Sequence, residues 1–448
     1  MSAPSGPKRA VTIAPIDGLR ALAVIAVLFY HLGYKWIPGG FLGVDVFFVI
    51  SGYVITRLLL DSIYIANGLD IRDFYFARFR RLYPALIFLL FITAIVTAAF
   101  APDGVHRFVL DLPYVLTGTN NWHLVALHQD YFQTVGRPPL LQHTWTLAVE
   151  FQFYVIWPLI LYFVWKKFGK ASVRRAAVLI SVFSGLALLL FSINSDWANT
   201  GKISHVYFGS DTHSIGLFLG SALAVSWVPR NLTPNVSQRA QDFIDGIGVF
   251  GLIGIVLAFL FISENNATLY RIAFPLTGFF ACAIIMSIVH PASRVARVFA
   301  FPLLIWIGKR SYGIYLWHWL ILQITRPSID LAGKPWALNC LRILLVIFFA
   351  DFSYKFIEEP FRRGVVQNWI RGMRYRTPRV RNNQRIFISV LGVLFLLISS
   401  SSVALAWYRN DHLVIIPKEE ISLKQTIVSE ANNGVWLTGD SVILGIKS

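Results

Sequence analysis

Ionisable side chains set in apolar sequence are the groups that could do chemistry in this chain. Arg20 and His31 lie eleven positions apart inside the apolar run Ile13–Leu32. In a helix that interval is three turns plus about 20°, so they share a face, roughly 16 Å apart along the axis. A charge near the centre of a bilayer costs about 2.5–3.5 kcal/mol on insertion scales, so such residues face a protein interior and mark a functional path. Asp45, one turn inside the outer end of the next run, is expected level with His31. His143 and Glu150 open a further run seven residues apart, on one face and in the outer half of the membrane. A carboxylate bonded to one imidazole nitrogen fixes the tautomer and leaves the other nitrogen as a base. His31 is therefore expected to act as the base, oriented by Asp45 or Glu150.

The inner side has a different chemistry. Arg78 and Arg81 share a helical face, and two guanidiniums at that spacing suit phosphate oxygens. Gly308-Lys309-Arg310 leads from a cationic inner edge towards His318, and a later run ends Glu358-Glu359-Pro360, where proline discourages further helix. Arg20, Arg78, Arg81, Lys309 and Arg310 are read as holding an anionic donor, and His143, His318 and Glu359 as acceptor-side or structural polar groups. His31, His143 and His318 fall on separate runs without ligand spacing, so no metal is expected. Anion-holding groups inside and base-like groups outside suit a long anionic donor whose head stays in the cytoplasm while its reactive tail reaches an extracytoplasmic acceptor. Acyl-CoA has that shape.

The elements that position these groups follow from composition. The 448 residues are 56% hydrophobic and only 14% charged, against roughly 25% charged in a soluble domain. That excludes soluble, disordered and coiled-coil classes and predicts an all-α polytopic membrane protein. Cys282 and Cys340 both lie in apolar runs, so no disulfide framework is expected. A span needs about 20 apolar residues, and eleven stretches qualify: 13–32, 41–63, 82–100, 145–165, 176–193, 213–228, 246–262, 272–289, 311–324, 336–356 and 386–407. The sixth and ninth are short. Lys and Arg concentrate in alternate connections, including the run from Arg362 to Arg385, which puts the N-terminus in the cytoplasm. The net charge of +17 is thus topological, and nucleic acid is not an expected partner. Arg20 within the first run, with no small-residue cleavage site after it, argues against a removable signal peptide.

Taken in order, these motifs resemble the acyltransferase-3 family of bacterial membrane acyltransferases. The resemblance covers Ile16 to Arg363 and rests on Asp17-Gly18-Leu19-Arg20 with His31, Gly43-Val44-Asp45 through Ser51-Gly52, Arg78-x-x-Arg81, Trp145 to Glu150, Ser311 to His318, and Glu359-Pro360. It implies ten helices that move an acyl group, commonly acetyl from acetyl-CoA, to envelope sugars, with Arg20 and His31 as the key functional pair. Near the end, Val435 to Gly445 resembles the first block of an SGNH hydrolase domain, with Ser441 in the nucleophile position. The chain stops at Ser448, before the oxyanion-hole and Asp/His blocks, so Ser441 is expected to be inactive and the chain a fragment or interrupted product.

The expected organisation is a cytoplasmic tail (1–12), a ten-helix acyltransferase domain (13–363), a basic cytoplasmic loop (364–385), an eleventh helix (386–407), an extracytoplasmic linker (408–434) and the SGNH-like start (435–448). The expected activity is O-acyl transfer in the cytoplasmic membrane, from acyl-CoA to a glycan or glycolipid hydroxyl, with no tightly bound cofactor. An acyl-histidine intermediate is the mechanistic alternative. A transporter exporting a lipid or glycan, with the buried charges as a proton relay, is the alternative from another class. Acceptor, acyl length and oligomeric state are left open by the residues.

Overall fold

A computed structural model describes residues 13–65, 69–129, 131, 136–194, 200–264, 267–326, 330–331 and 334–412. The SGNH-like stretch with Ser441 and residues 413–434 of the linker lie outside these. The protein is an all-α multi-pass membrane protein, with eight helices among the described residues long and apolar enough to span by length and composition.

α1 (Ala14–His31) starts with proline in its first turn and ends two residues before Gly33, whose positive φ turns the chain. α2 (Gly43–Ile65) returns across the membrane, and α3 (Ile71–Phe100) follows. α3 begins eleven residues before the apolar run because Asp70 caps it, accepting from the Asp73 amide at 2.9 Å. The cap carries Arg78 and Arg81 into the helix.

The stretch expected as an outer loop instead folds back into the molecule. α4 (Val105–Thr117) and α5 (Asn120–Ala126) form a helical hairpin around Gly118, which adopts a left-handed φ of 69°. The Tyr83 hydroxyl donates to the Leu116 carbonyl at 3.1 Å. Tyr83 precedes the C-terminal end of α3 by seventeen residues, about 25 Å of helix rise, so the hairpin tip reaches back along most of α3. Its buried amides bond within the protein: Asn120 donates to Thr144 at 2.9 Å, leaving its Oδ1 without a partner among the described residues, and Asn121 donates to Ser210 at 2.9 Å and accepts from Gln152 at 2.8 Å. Non-spanning backbone at membrane depth requires such internal partners.

α6 (Trp145–Phe168) and α7 (Lys170–Asn194) are full spans. The sixth expected span, 213–228, is α10 (Ile215–Ser226), and two short helices, α8 (Thr200–Phe208) and α9 (Ser210–His213), lead into it. α11 (Gln238–Phe261) and α12 (Ala267–Ile288) pair as neighbours. The ninth expected span, 311–324, is α15 (Ser311–Gln323), preceded by the short helices α13 (Val295–Phe299) and α14 (Pro302–Lys309), with Arg310 non-helical between α14 and α15. α16 (Pro335–Ser353) runs into a π-turn over Tyr354–Glu358 and then α17 (Glu359–Arg362). α18 (Val365–Met373) and α19 (Pro378–Asp411) close the described chain. α19 is peripheral: it stacks Phe395 on Phe91 of α3 at 4.6 Å and buries Ala406 against Ala98 and Val105.

α1 is central, held between α2, α14 and α15. Its crossing with α14 is backbone on backbone, because a Cβ at Gly308 would overlap the Asp17 carbonyl. Small residues allow such close approach in membranes. Gly308→Ala is expected to push α14 off α1 and reduce the yield of monodisperse protein in detergent, by at least the roughly 1–3 kcal/mol of an overpacked core. Size-exclusion profiles and thermal melts of the two proteins check this.

Candidate active site

Three helices turn polar stripes towards one another. α1 contributes Arg20 and His31. α6, with the 3₁₀ turn Gln142–Thr144 before it, contributes His143, Thr146, Glu150 and Tyr154, spaced three or four residues apart and so on one face. α15 contributes Tyr312, Tyr315 and His318 by the same spacing.

At the end where α1 begins, Arg20 is paired with Asp17 at 2.9 Å. Arg20, Arg78 and Arg81 lie close enough for their charges to repel. Arg78 packs over the Phe74 ring, and its Nε is buried with no hydrogen-bond partner among the described residues. Arg81 makes no ion pair within 4 Å among them; the nearby carboxylates are Glu150 and Glu358. The π-turn sends Glu358 inward, buried and taking the Ser353 hydroxyl at 3.4 Å, while Glu359 faces out to Arg362 and Arg363. π-turns often mark functional positions.

Two sequence-based placements change here. Glu150 does not reach His31: it accepts from Ser51 at 2.6 Å and Tyr154 at 3.1 Å and faces the charges of Arg81 and Arg20. Seven residues, about 10 Å of helix rise, separate it from His143 and carry it to the arginine end of the stripe. Arg310 is committed elsewhere, donating to Asp351 at 2.7 Å and the Trp306 carbonyl at 3.1 Å and lying between the Trp306 and Tyr354 rings. A buried guanidinium with those partners ties α14 to α16 and has little left to offer a phosphate. Lys309 is exposed at the end of α14.

Side chains of α6 and α15 line the interval to His31. Thr146 donates to the Tyr315 hydroxyl at 2.8 Å, and Tyr315 donates to the His143 carbonyl at 2.8 Å. Beyond them three imidazoles converge, with ring centroids 5.0 Å apart for His31 and His318 and 5.9 Å for His143 and His318. Trp319 borders both His31 and His143, and its indole N–H donates to the Pro139 carbonyl at 2.9 Å. Sequence spacing did not show this gathering, because the rings come from three different elements. No group of three or more His, Cys, Asp or Glu with a metal-holding geometry occurs among the described residues.

The hydrogen bonds fix tautomers. His31 Nδ1 lies 2.9 Å from the Val27 carbonyl, which can only accept, so Nδ1 carries the hydrogen and Nε2 the lone pair. Nε2 takes the Tyr131 hydroxyl at 2.8 Å. The His318 Nδ1 likewise donates to the Tyr315 carbonyl at 2.6 Å, and its Nε2 is buried without a partner among the described residues, while the His143 ring approaches the Leu316 carbonyl. Buried polar atoms are nearly always bonded, so this layer has the character of a seat for a hydrogen-bonding ligand.

Asp45 also departs from expectation. It meets His213 at 3.1 Å rather than His31, and His213 Nδ1 donates to the Tyr207 carbonyl at 2.7 Å. The Tyr207 ring stacks on Tyr131 at 4.7 Å, so three residues, His213, Tyr207 and Tyr131, stand between Asp45 and His31 along this path. His213 was missed because it lies at the break between α9 and α10, and Tyr131 because a loop residue has no periodicity. Thr146 and Tyr154 were legible as the i, i+4 extension of Glu150. Beside the arginines, an open groove of about 740 Å³ runs between α3 and α6, lined by Tyr75, Phe79, Tyr83, Phe151, Tyr154 and Arg78.

A family model described as an acyltransferase domain matches residues 13–354. The chain is 34% identical over 394 residues to the peptidoglycan O-acetyltransferase OatA of Listeria monocytogenes, covering 86% of this chain and 62% of that protein. It is 36% identical over 349 residues to the O-acetyltransferase OatA of Staphylococcus aureus, covering 78% of this chain and 57% of that protein. The chain spans about three fifths of the length of these curated relatives. No solved structure matches.

Proposed function

Because this chain belongs to the acyltransferase-3 family, we propose that it transfers an acetyl group from acyl-CoA to a hydroxyl of an envelope glycan, in the cytoplasmic membrane. The observation that carries the reading is the buried file joining three clustered guanidiniums to a histidine whose Nε2 lone pair faces a hydroxyl. Family membership favours this over an exporter built on the same buried charges.

In this reading the donor enters where α1 begins, on the cytoplasmic side. Its phosphates take the guanidiniums of Arg78 and Arg81, which lack hydrogen-bonded carboxylates among the described residues, and Arg20 with its Asp17 partner borders them. Charge-assisted bonds to phosphate suit this planar donor group. The acceptor hydroxyl replaces the Tyr131 hydroxyl at His31 Nε2. Nε2 removes its proton as the oxygen attacks the thioester carbonyl; a C–O bond forms, the C–S bond breaks, and the departing thiolate recovers the proton from His31. The Val27 carbonyl holds the Nδ1 hydrogen throughout. The neighbouring lone pairs on His318 and His143 would receive further hydroxyl or N–H groups of the sugar. The relatives point to peptidoglycan as the first acceptor to try.

Purified full-length chain in proteoliposomes, given acetyl-CoA and peptidoglycan fragments, is expected to release free CoA and acetylate the glycan; no CoA release with any glycan acceptor would reject the reading. Arg81→Gln is expected to raise the donor KM roughly tenfold or more with a smaller change in kcat, since one charged hydrogen bond contributes about 1.5–3 kcal/mol. Arg81→Lys should fall between. An unchanged donor KM removes Arg81 from the donor site.

A further inference from the structure

We propose that α18 and the arginines after it form a binding surface for anionic phospholipid, a site independent of the transfer reaction. Two observations meet in this segment. Residues 362–385 contain eight arginines and no acidic residue; Glu359 takes Arg362 and Arg363, which leaves Arg371, Arg374 and Arg379 exposed without a carboxylate partner among the described residues. The second observation is the shape of α18 itself. Val365, Val366, Trp369, Ile370 and Met373 recur at i, i+1, i+4, i+5 and i+8, one face of a helix. That face is uncovered: Val365 is 53% and Ile370 57% exposed.

Topology selects the occupant. α18 is nine residues long and connects the end of α16 and α17 to the start of α19, a 34-residue helix apolar enough to span. The Arg80 guanidinium donates to Gln367, which pins α18 to the charged end of α3. An apolar stripe at that level, flanked by unpaired cations, lies in the plane of the headgroups with its apolar side in the acyl chains. Basic residues near a surface of anionic lipid each add to the attraction. A purely topological charge bias needs the arginines alone; it does not need an apolar face beside them.

The test uses the full chain in vesicles of phosphatidylglycerol with phosphatidylcholine, or of phosphatidylcholine alone. In a Cys282→Ala, Cys340→Ala background, an environment-sensitive fluorophore on Ile370→Cys should emit to the blue and be quenched by lipid-borne quencher when phosphatidylglycerol is present. Both signals should be lost in phosphatidylcholine alone and in Arg371→Glu/Arg374→Glu/Arg379→Glu. In native mass spectrometry the same triple variant should retain fewer phosphatidylglycerol molecules per chain. Lys170→Glu/Arg174→Glu/Arg175→Glu, an equal charge change on α7, should retain as many as the parent. A label exposed to water in both vesicles, a label equally quenched in both, or an equal loss of lipid in the α7 variant would each overturn the proposal.

Discussion

Replacing His31 with alanine is expected to lower acetyl transfer by about 10²- to 10⁴-fold, the usual contribution of a positioned general base, while the protein still enters the membrane and runs as a single species. The expectation rests on geometry. One ring nitrogen is engaged with the Val27 carbonyl, which leaves a single lone pair, and that lone pair faces a hydroxyl at 2.8 Å in a buried aromatic layer. Few other groups could replace it: the unpartnered Nε2 of His318 belongs to a ring held by the Tyr315 carbonyl, with its centroid 5.0 Å from that of His31. His31→Gln should be nearly as impaired, because an amide nitrogen takes up no proton near neutral pH. Donor binding measured separately should hardly change, since Arg20 lies roughly 16 Å away along α1 and Arg78 and Arg81 cluster with it. Transfer within a few-fold of the parent would exclude His31 as the base, and a parallel loss of donor binding would show that the substitution had disturbed the whole file.

Asp45→Ala is expected to act on folding rather than on the transfer step. Asp45 and His213 are both about 1% exposed, and removing one partner of a buried pair costs about 3–5 kcal/mol because the other is left without compensation. Detergent-solubilised Asp45→Ala should therefore melt well below the parent. Asp45→Asn, whose amide can still bond the imidazole, should recover most of the difference. Activity normalised to folded protein should fall less than for His31→Ala. A normal melting profile with lost transfer would instead place the carboxylate in the chemistry, the role its spacing in the sequence predicts.

The two Asp45 readings show what the chain discloses on its own. Arg20 and His31 were legible because a helical period relates them and because charge in an apolar run is costly. The i, i+7 relation of His143 and Glu150 was legible for the same reason. Partners across the bundle were not. Nothing in the spacing could say that Asp45 would meet His213 from a broken helix 168 residues later, or that Glu150 would turn towards Arg81. The α4–α5 hairpin was hidden because each of its pieces is shorter than a span and its apolar residues keep to one side. At the π-turn, a single extra residue in the helical circuit decides that Glu358 and not Glu359 enters the interior, and adjacent glutamates look alike in sequence. The sixth and ninth spans were legible as short ones, but α8, α9, α13 and α14 before them were not, because each is too short to show an apolar run of span length.

The stripe on α6 has an evolutionary corollary. Deleting one residue between Thr146 and Glu150 would barely alter how oily the segment is, yet it would swing Glu150 and Tyr154 about 100° away from the arginines while His143 stayed in place. Inserting one would do the same in the opposite sense. Indels in this segment should thus be purged by selection even though membrane insertion tolerates them, and length polymorphism among relatives should gather between the keyed helices instead.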